Sequence, residues 1–405
     1  PDVKLTGGLR FTDDSKSFDE FPSWTLLPGI GYPQAGTLDQ EWKEVTGRFV
    51  GTWTPQLSFT DQTMVYASFA HGYKAGGANP PGVTTYTFGT IPVSSPSAVT
   101  HPATFKPEFN NAFELGTKNT LLDGSLTLNG DIFLYKYQDY QISQIVDRSA
   151  VNLNFNSTVR GAELESTWEP LPGLRFNLSG GYENATVDDG QSAIDLMDRT
   201  AGHTDWIVVK PFYTETSNCI IPTYVANVLI VSKGLSVACL ASYNQNHDPV
   251  TNAAYNPDTH VAKYPDYVGY DPSTAPNGGQ GFAKDVSGNQ LPNTPHFTLS
   301  MGAQYSMPLS DAWAGTLRSD FYWQSDSFAR IFNDRPYDEI RGYTNLNLSL
   351  TLTNQDGWQV MGYLKNVLNT TAITGAFLNS DDSALTTNIF VTDPRLFGLR
   401  ITKNW

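Results

Sequence analysis

The sequence predicts an all-β fold, a transmembrane antiparallel β-barrel, and three observations predict it. The first is the closing segment RLFGLRITKNW (395–405). It places Phe397, Leu399, Ile401 and Trp405 on one face of an extended strand, and Gly398, Arg400, Thr402 and Asn404 on the other. An apolar outer face, a polar inner face and a terminal aromatic at the membrane–water boundary are what a barrel closed in a bilayer needs. The second is the recurrence of this alternation upstream. In NLNLSLTLT, Leu346, Leu348, Leu350 and Leu352 oppose Asn345, Asn347, Ser349, Thr351 and Thr353. In SLTLNGDIFLYKY, Leu126, Leu128, Ile132 and Leu134 oppose Thr127, Asn129, Asp131 and Tyr135. An acid within such a strand is costly against lipid and tolerable against a water-filled lumen. The third is composition: 405 residues with 13% aromatic and only 16% charged side chains, against a soluble norm of about 25% charged.

Several classes fall away on the same numbers. No run of eighteen apolar residues occurs, so helical membrane spans are excluded. A mean hydropathy of -0.32 fits a barrel, because the inner half of each strand and all the loops are polar. The net charge of -15 argues against nucleic acid as a partner, since phosphate binding needs basic patches. The two cysteines, Cys219 and Cys239, flank an expected hairpin and read equally as a disulfide or as two thiols. No secretory leader is visible, and the chain opens at PDVKLTGGLRF already inside a strand pattern, which reads as part of a longer chain.

The elements follow in order, about fourteen strands in all. Residues 3–11 form the first, and a long loop runs to 41. Strand 42–54 turns at 55–61 into strand 63–74, which ends in the Gly-rich KAGGANPPG. A Thr-, Ser- and Pro-rich loop leads to hairpin 105–120/125–146 around 121–124. Hairpin 151–168/174–187 turns at EPLPG. Residues 188–219 lack periodicity and read as loop, 222–231/235–244 as a hairpin, and 248–290 as a long loop. Hairpins 295–307/312–325 and 342–353/358–366 follow, then a loop at 370–392 and the closing strand 395–405. Short turns alternate with mostly longer loops, the asymmetry of a barrel with one trim rim. No fixed repeat suggests a propeller or solenoid.

Catalytic and metal signatures are absent. HExxH, G-x-S-x-G and GxxxxGK[ST] do not occur. The histidines are scattered without zinc-ligand spacing, although His247 and His260 share one long loop. The acidic pairs Asp13–Asp14, Asp188–Asp189 and Asp381–Asp382 lack the ligand spacing of a calcium loop. Glu163 and Glu165 lie two apart on one strand, so they cannot flank a glycosidic bond, and they read as lumen-facing polarity. No enzyme, no cofactor and no metal site is expected.

Five stretches resemble one family. GRFVGTWTPQLSFTDQTMVYASFAHGYKAGG (47–77), FKPEFNNAFELGTKNTLLDGSLTLNGDIFLYKYQDYQ (105–141) and RGAELESTWEPLPGLRFNLSGGY (160–182) are similar to barrel segments of TonB-dependent outer-membrane receptors. LPNTPHFTLSMGAQY (291–305) and the closing GYLKNVLNTT…PRLFGLRITKNW match the same pattern. The resemblance implies a barrel of about 22 strands with a plugged lumen. This chain, residues 1–405, would be the C-terminal portion of that barrel as a single domain, with the N-terminal plug and its TonB-contacting segment outside it. It implies a receptor in the bacterial outer membrane that imports a scarce nutrient, a ferric siderophore or other metal chelate foremost. Ligand would bind at the external loops, and movement of the plug would be driven by the TonB–ExbB–ExbD complex. Phe397, Leu399, Ile401 and Trp405 would be the C-terminal barrel-assembly signal, and lipid and lipopolysaccharide the surroundings.

Candidate ligand-binding residues on that reading are Tyr73, Lys74, Trp206, Tyr213, His247, Tyr255 and Arg330. The aromatic rings would stack on a flat ligand face, and the cations would clamp an anionic chelate. Tyr140, Phe105 and Trp323 read instead as interface girdle. A passive porin with an open lumen shares the aromatic terminus and long loops, and stands as the alternative. A soluble all-β binding protein or enzyme is the third class.

Overall fold

The computed structural model describes residues 2–20, 23–24, 31–32, 36–80, 85–88, 91–94, 103–146, 149–210, 218–232, 275–379 and 385–404. Among them one antiparallel sheet holds 12 strands in chain order. These are β1 (Val3–Glu20), β2 (Gly36–Trp53), β3 (Gln62–Lys74), β4 (Glu108–Leu121), β5 (Leu126–Val146) and β6 (Ser149–Leu171). They continue with β7 (Leu174–Val187), β8 (Phe297–Pro308), β9 (Trp313–Gln324), β10 (Tyr343–Asn354), β11 (Trp358–Lys365) and β12 (Leu396–Lys403). Each strand pairs with its sequence neighbours, and no pairing joins β1 to β12 among the described residues.

The register puts the expected apolar positions on one continuous face. Leu5, Gly51, Ala67, Leu115, Ile132, Ala162, Tyr182 and Phe297 are successive cross-strand partners from β1 to β8. From β8 to β12 the row Met307, Gly315, Leu352, Val360, Ile401 continues the same face. Its large side chains stand in the open: Leu9 and Phe397 are each 88% exposed. A water-soluble sheet buries such a face, whereas a sheet surrounded by hydrocarbon gains by presenting it. Trp53, Trp168 and Trp358 lie on this face near the short-turn rim, at the depth where Trp prefers to sit.

The opposite face divides into two halves. Toward the short turns it is polar, with Glu114, Asp131, Glu163 and Glu165 on adjacent strands, and Arg318 paired to Asp320 at 2.5 Å. Asp131 and Glu163 are direct cross-strand partners, a like-charge juxtaposition that must be screened by water or by something filling the interior. Glu163 and Glu165 therefore face the lumen, as their spacing predicts. Tyr66 donates a hydrogen bond to Glu114 and lies over Gly116, where any Cβ would meet its ring at 2.6 Å.

Toward the long loops the inner face turns apolar. Phe133, Phe155, Val159, Ala185 and Val187 are buried under Ala193, Val286, Leu291 and Ile331 from the connections 188–296 and 325–342. The molecule's main core thus sits inside the mouth. It forms because long connections fold inward over the wall. At Gly161 in β6 a side chain would strike the Phe133 ring and the Tyr182 carbonyl, so the close packing there requires glycine.

Four sequence expectations are corrected. The large sheet has 12 strands in place of fourteen. Residues 223–232 form a helix, Thr223–Ser232, where a strand is expected. PTYVANVLIVS is apolar on all sides, and such a run carries no period that separates a strand from a buried helix. Its partner segment 235–244 lies outside the described residues. The first loop is also shorter than expected, because β1 continues to Glu20 and β2 starts at Gly36. Beyond the membrane both faces of TDDSKSFDE are wet, so the ladder continues with no hydrophobic alternation to mark it. Residues 370–392 contain a short hairpin, Ile373–Leu378 with Thr387–Val391.

Among the described residues no helix is long and apolar enough to cross a membrane, which says nothing of crossing by strands. Trp405, the last residue of the expected assembly signal, lies outside the described residues. Phe397, Leu399 and Ile401 lie on the outer face.

Leu348 lies mid-strand on the outer face. Leu348→Arg is expected to destabilise the barrel by about 2–4 kcal/mol in urea unfolding from lipid vesicles. Ser349→Asn, one residue along on the inner face, is expected to change it by less than about 0.5 kcal/mol.

Candidate ligand site at the barrel mouth

The β5–β6 hairpin is the tallest part of the wall, with strands of 21 and 23 residues. A bulge between Tyr137 and Tyr140 shifts the β5–β6 register. Tyr140 and Ile142 above it, with Leu153 and Phe155 of β6, pack against the inward-folded loops.

A cavity of about 430 Å³ lies between this hairpin and three connections. Tyr140, Ile142, Leu153 and Phe155 form the wall side. Leu196, Asn293, Arg330, Ile331, Phe332 and Phe377 come from the 188–296, 325–342 and 366–395 connections. Its volume and mostly apolar lining with few polar groups match small-molecule sites generally. Gln141 ties the hairpin to the β3–β4 connection. Its Nε2 donates to the Ala75 and Lys106 carbonyls at 3.0 and 3.1 Å, and its N–H to Glu108 at 2.9 Å.

A charged cluster holds the covering loops together. Arg330 donates from Nη1 to Asp195 and from Nε to Asp338, both at 2.6 Å. Lys284 meets Asp195 at 3.2 Å, Asp198 at 2.9 Å and Asp334 at 3.1 Å. Asp195 and Asp338 are fully buried. The cluster therefore clasps the 188–296 connection to the 325–342 connection through Arg330, which also lines the cavity. Burial alone would push Asp195 up, but the Arg330 hydrogen bond and charge, the Met197 amide and Lys284 outweigh it and hold the carboxyl below its usual range. Asp338 moves the other way, because burial exceeds what Arg330 returns.

The expected site residues are distributed unevenly. Arg330 lines the cavity but is committed to Asp195 and Asp338, with its guanidinium 5.1 Å over the Phe332 ring. Tyr73 ends β3 against Phe109, ring centroids 5.6 Å apart. Lys74, beside it, reaches Glu108 at 3.8 Å. Trp206 belongs to a separate cluster with Val209, Cys219, Ile221 and the helix residue Val225, and meets Phe282 edge-on at 5.6 Å. Tyr213, His247 and Tyr255 lie outside the described residues. Cys219 is disulfide-bonded, and Cys239, the chain's other cysteine, lies outside the described residues. Tyr140 lines the cavity, where the sequence favours a girdle position.

Sequence reasoning misses Phe155, Leu196, Phe332 and Phe377 as cavity lining, and Asp195, Lys284 and Asp338 as the clasp. Only the inward fold of the loops brings them together. Among the described residues no group of three or more His, Cys, Asp or Glu is placed to hold a metal ion.

A family model described as TonB dependent receptor-like, beta-barrel matches residues 1–227, more than half of the chain. The chain belongs to the TonB-dependent receptor family. No curated protein matches it. Among solved structures, the ferric yersiniabactin uptake receptor FyuA from Yersinia pestis is 15% identical with a TM-score of 0.59, covering 98% of this chain and 42% of its own. The siderophore receptor PiuA from Acinetobacter baumannii is 14% identical with a TM-score of 0.56, covering 99% and 40%. The ferric citrate transporter FecA in its unliganded form is 13% identical with a TM-score of 0.53, covering 99% and 42%. At these identities the likeness shows the barrel fold. This TonB-dependent receptor chain spans about two fifths of the length of the solved receptors it matches. Members of the family are transporters of the outer membrane, not enzymes.

Removing Arg330 takes the cation from the buried Asp338 and leaves the buried Asp195 to Lys284. Arg330→Met is expected to destabilise the loop assembly by about 3–5 kcal/mol, read as faster proteolytic cleavage within 188–232 and 325–342 while the barrel strands stay protected. The depressed folded pKa of Asp195 sets the sign with pH. Its stabilisation is present above the ordinary Asp value of about 3.9 and is lost as pH falls through the lower folded value. Protection of these loop amides from exchange, corrected for the intrinsic pH dependence of exchange, is thus expected to hold from neutral pH down to about 3.9 and to fall progressively below it.

Proposed function

We propose that this chain is the C-terminal part of the barrel of an outer-membrane receptor that captures a scarce nutrient, a metal chelate foremost, at its loop-lined mouth. The observation that carries the reading is the mouth cavity, built on the inner wall of a sheet whose other face is apolar and open. Lipid and lipopolysaccharide surround that outer face.

The domain reading is part of the proposal: residues 1–405 form one barrel domain, completed to about 22 strands and plugged by further chain. Two features support it. The sheet leaves the outer edges of β1 and β12 unpaired among the described residues, and free edges are not tolerated in hydrocarbon. The like-charge Asp131–Glu163 pairing on the inner wall favours a filled interior. Release of ligand inward then requires work on the plug, supplied through TonB with ExbB and ExbD. Tyr73 and Lys74 are proposed as rim contacts for ligand, and Trp206, Tyr213, His247, Tyr255 and Arg330 as loop contributors.

Cells carrying the full-length gene are expected to accumulate a radioiron chelate under iron starvation and to stop when a protonophore collapses the proton gradient. Uptake that persists through collapse, together with a steady large conductance in planar bilayers, would instead identify a passive channel.

A further inference from the structure

Resting on the receptor reading above, we propose that the mouth cavity takes a ligand with no net negative charge and an apolar or aromatic face, a neutral metal chelate rather than a polyanionic one. The lining supplies the first reason. Ile142, Leu153, Phe155, Ile331, Phe332 and Phe377 present hydrocarbon and rings, and the uncharged polar side chains among the lining include Gln141, Ser143, Gln144 and Asn293. Such walls favour an uncharged surface by roughly 25 cal/mol for each Å² of apolar area removed from water.

Charge supplies the second reason. The charged side chain lining the cavity is Arg330, and its Nε and Nη1 are already engaged by the buried Asp338 and Asp195. Around it Lys284 and Arg330 stand against four carboxylates, Asp195, Asp198, Asp334 and Asp338. Within this cluster, among the described residues, two positive charges therefore stand against four negative ones. Three further cations among the described residues are also paired: Lys74 with Glu108, Lys106 with Asp139 and Arg335 with Glu339. A polyanion entering here would lose its water and meet a negative field. Drawing Arg330 away would take that cation from the buried Asp338 and weaken the pairing of the buried Asp195, a larger loss than one new pair returns.

The third reason is location. The clasp shares Arg330 with the cavity lining and ties together two of the three connections that line it. Its charges serve the architecture of the site, which leaves shape and apolar contact to select the ligand.

The test uses the full-length receptor in detergent and titrates intrinsic fluorescence with a neutral ferric trishydroxamate and a trianionic ferric triscatecholate. The neutral chelate is expected to bind with little dependence on salt, and the trianion at least tenfold more weakly. Phe377→Ala, at a half-exposed ring, is expected to weaken the neutral chelate about tenfold by losing an aromatic contact. Gln144→Lys, which adds an unanswered cation, is expected to gain affinity for the trianion. Tighter binding of the trianion by the unaltered receptor, weakening as salt rises, overturns the charge assignment and leaves the receptor reading standing. Binding of neither chelate overturns both the assignment and the metal-chelate reading.

Discussion

Hydrocarbon offers no hydrogen-bond partner, so every backbone N–H and C=O of a spanning strand must be paired within the sheet. The rest of this structure depends on that constraint. It explains why neighbouring strands in the chain are neighbours in the sheet. It also explains why outward positions carry exposed Leu, Phe, Val and Ile. An unbroken ladder from Val3 to Lys403 frees the inner face from any duty to lipid. That face is where sequence can vary for function.

The inner face uses this freedom in two ways. Below, near the trim rim, it is a wet acidic wall in which Glu114, Asp131, Glu163 and Glu165 tolerate one another only because water or a filling domain can reach them. Above, the same strands carry Phe133, Phe155, Val159 and Val187, and the long connections fold back to cover them. The change from polar to apolar occurs along single strands. Asp131 and Phe133 are two residues apart on β5 and share its inner face. The barrel thus builds its hydrophobic core at its mouth, where loops are available to close over it.

The loops are held by charge as well as by burial. Asp195, Arg330 and Asp338 form a desolvated cluster whose members are costly singly and tolerable together. Its effect is geometric, because it fixes two connections relative to each other and gives the cavity defined walls. A ligand site assembled from loops needs such support, since loops lack the ladder that holds strands in register.

How much of this was legible depends on the period of the pattern. The strands that cross the membrane announce themselves, because lipid on one side and water on the other impose a strict alternation: NLNLSLTLT and the segment Phe397–Ile401 lie where the alternation puts them. The residues 12–20, wet on both faces, and the helix Thr223–Ser232, apolar all round, carry no such period, and there the local reading fails. The mouth follows the same rule. Arg330 is visible as a loop cation, but whether it meets a ligand or Asp195, 135 residues away in sequence, depends on how two loops fold. Sequence alone determined the barrel wall, its inner and outer faces and its family, because each follows from local alternation and short motifs. Only the tertiary structure decided the core in the mouth, the charged clasp and the cavity, because these join side chains that no local pattern relates.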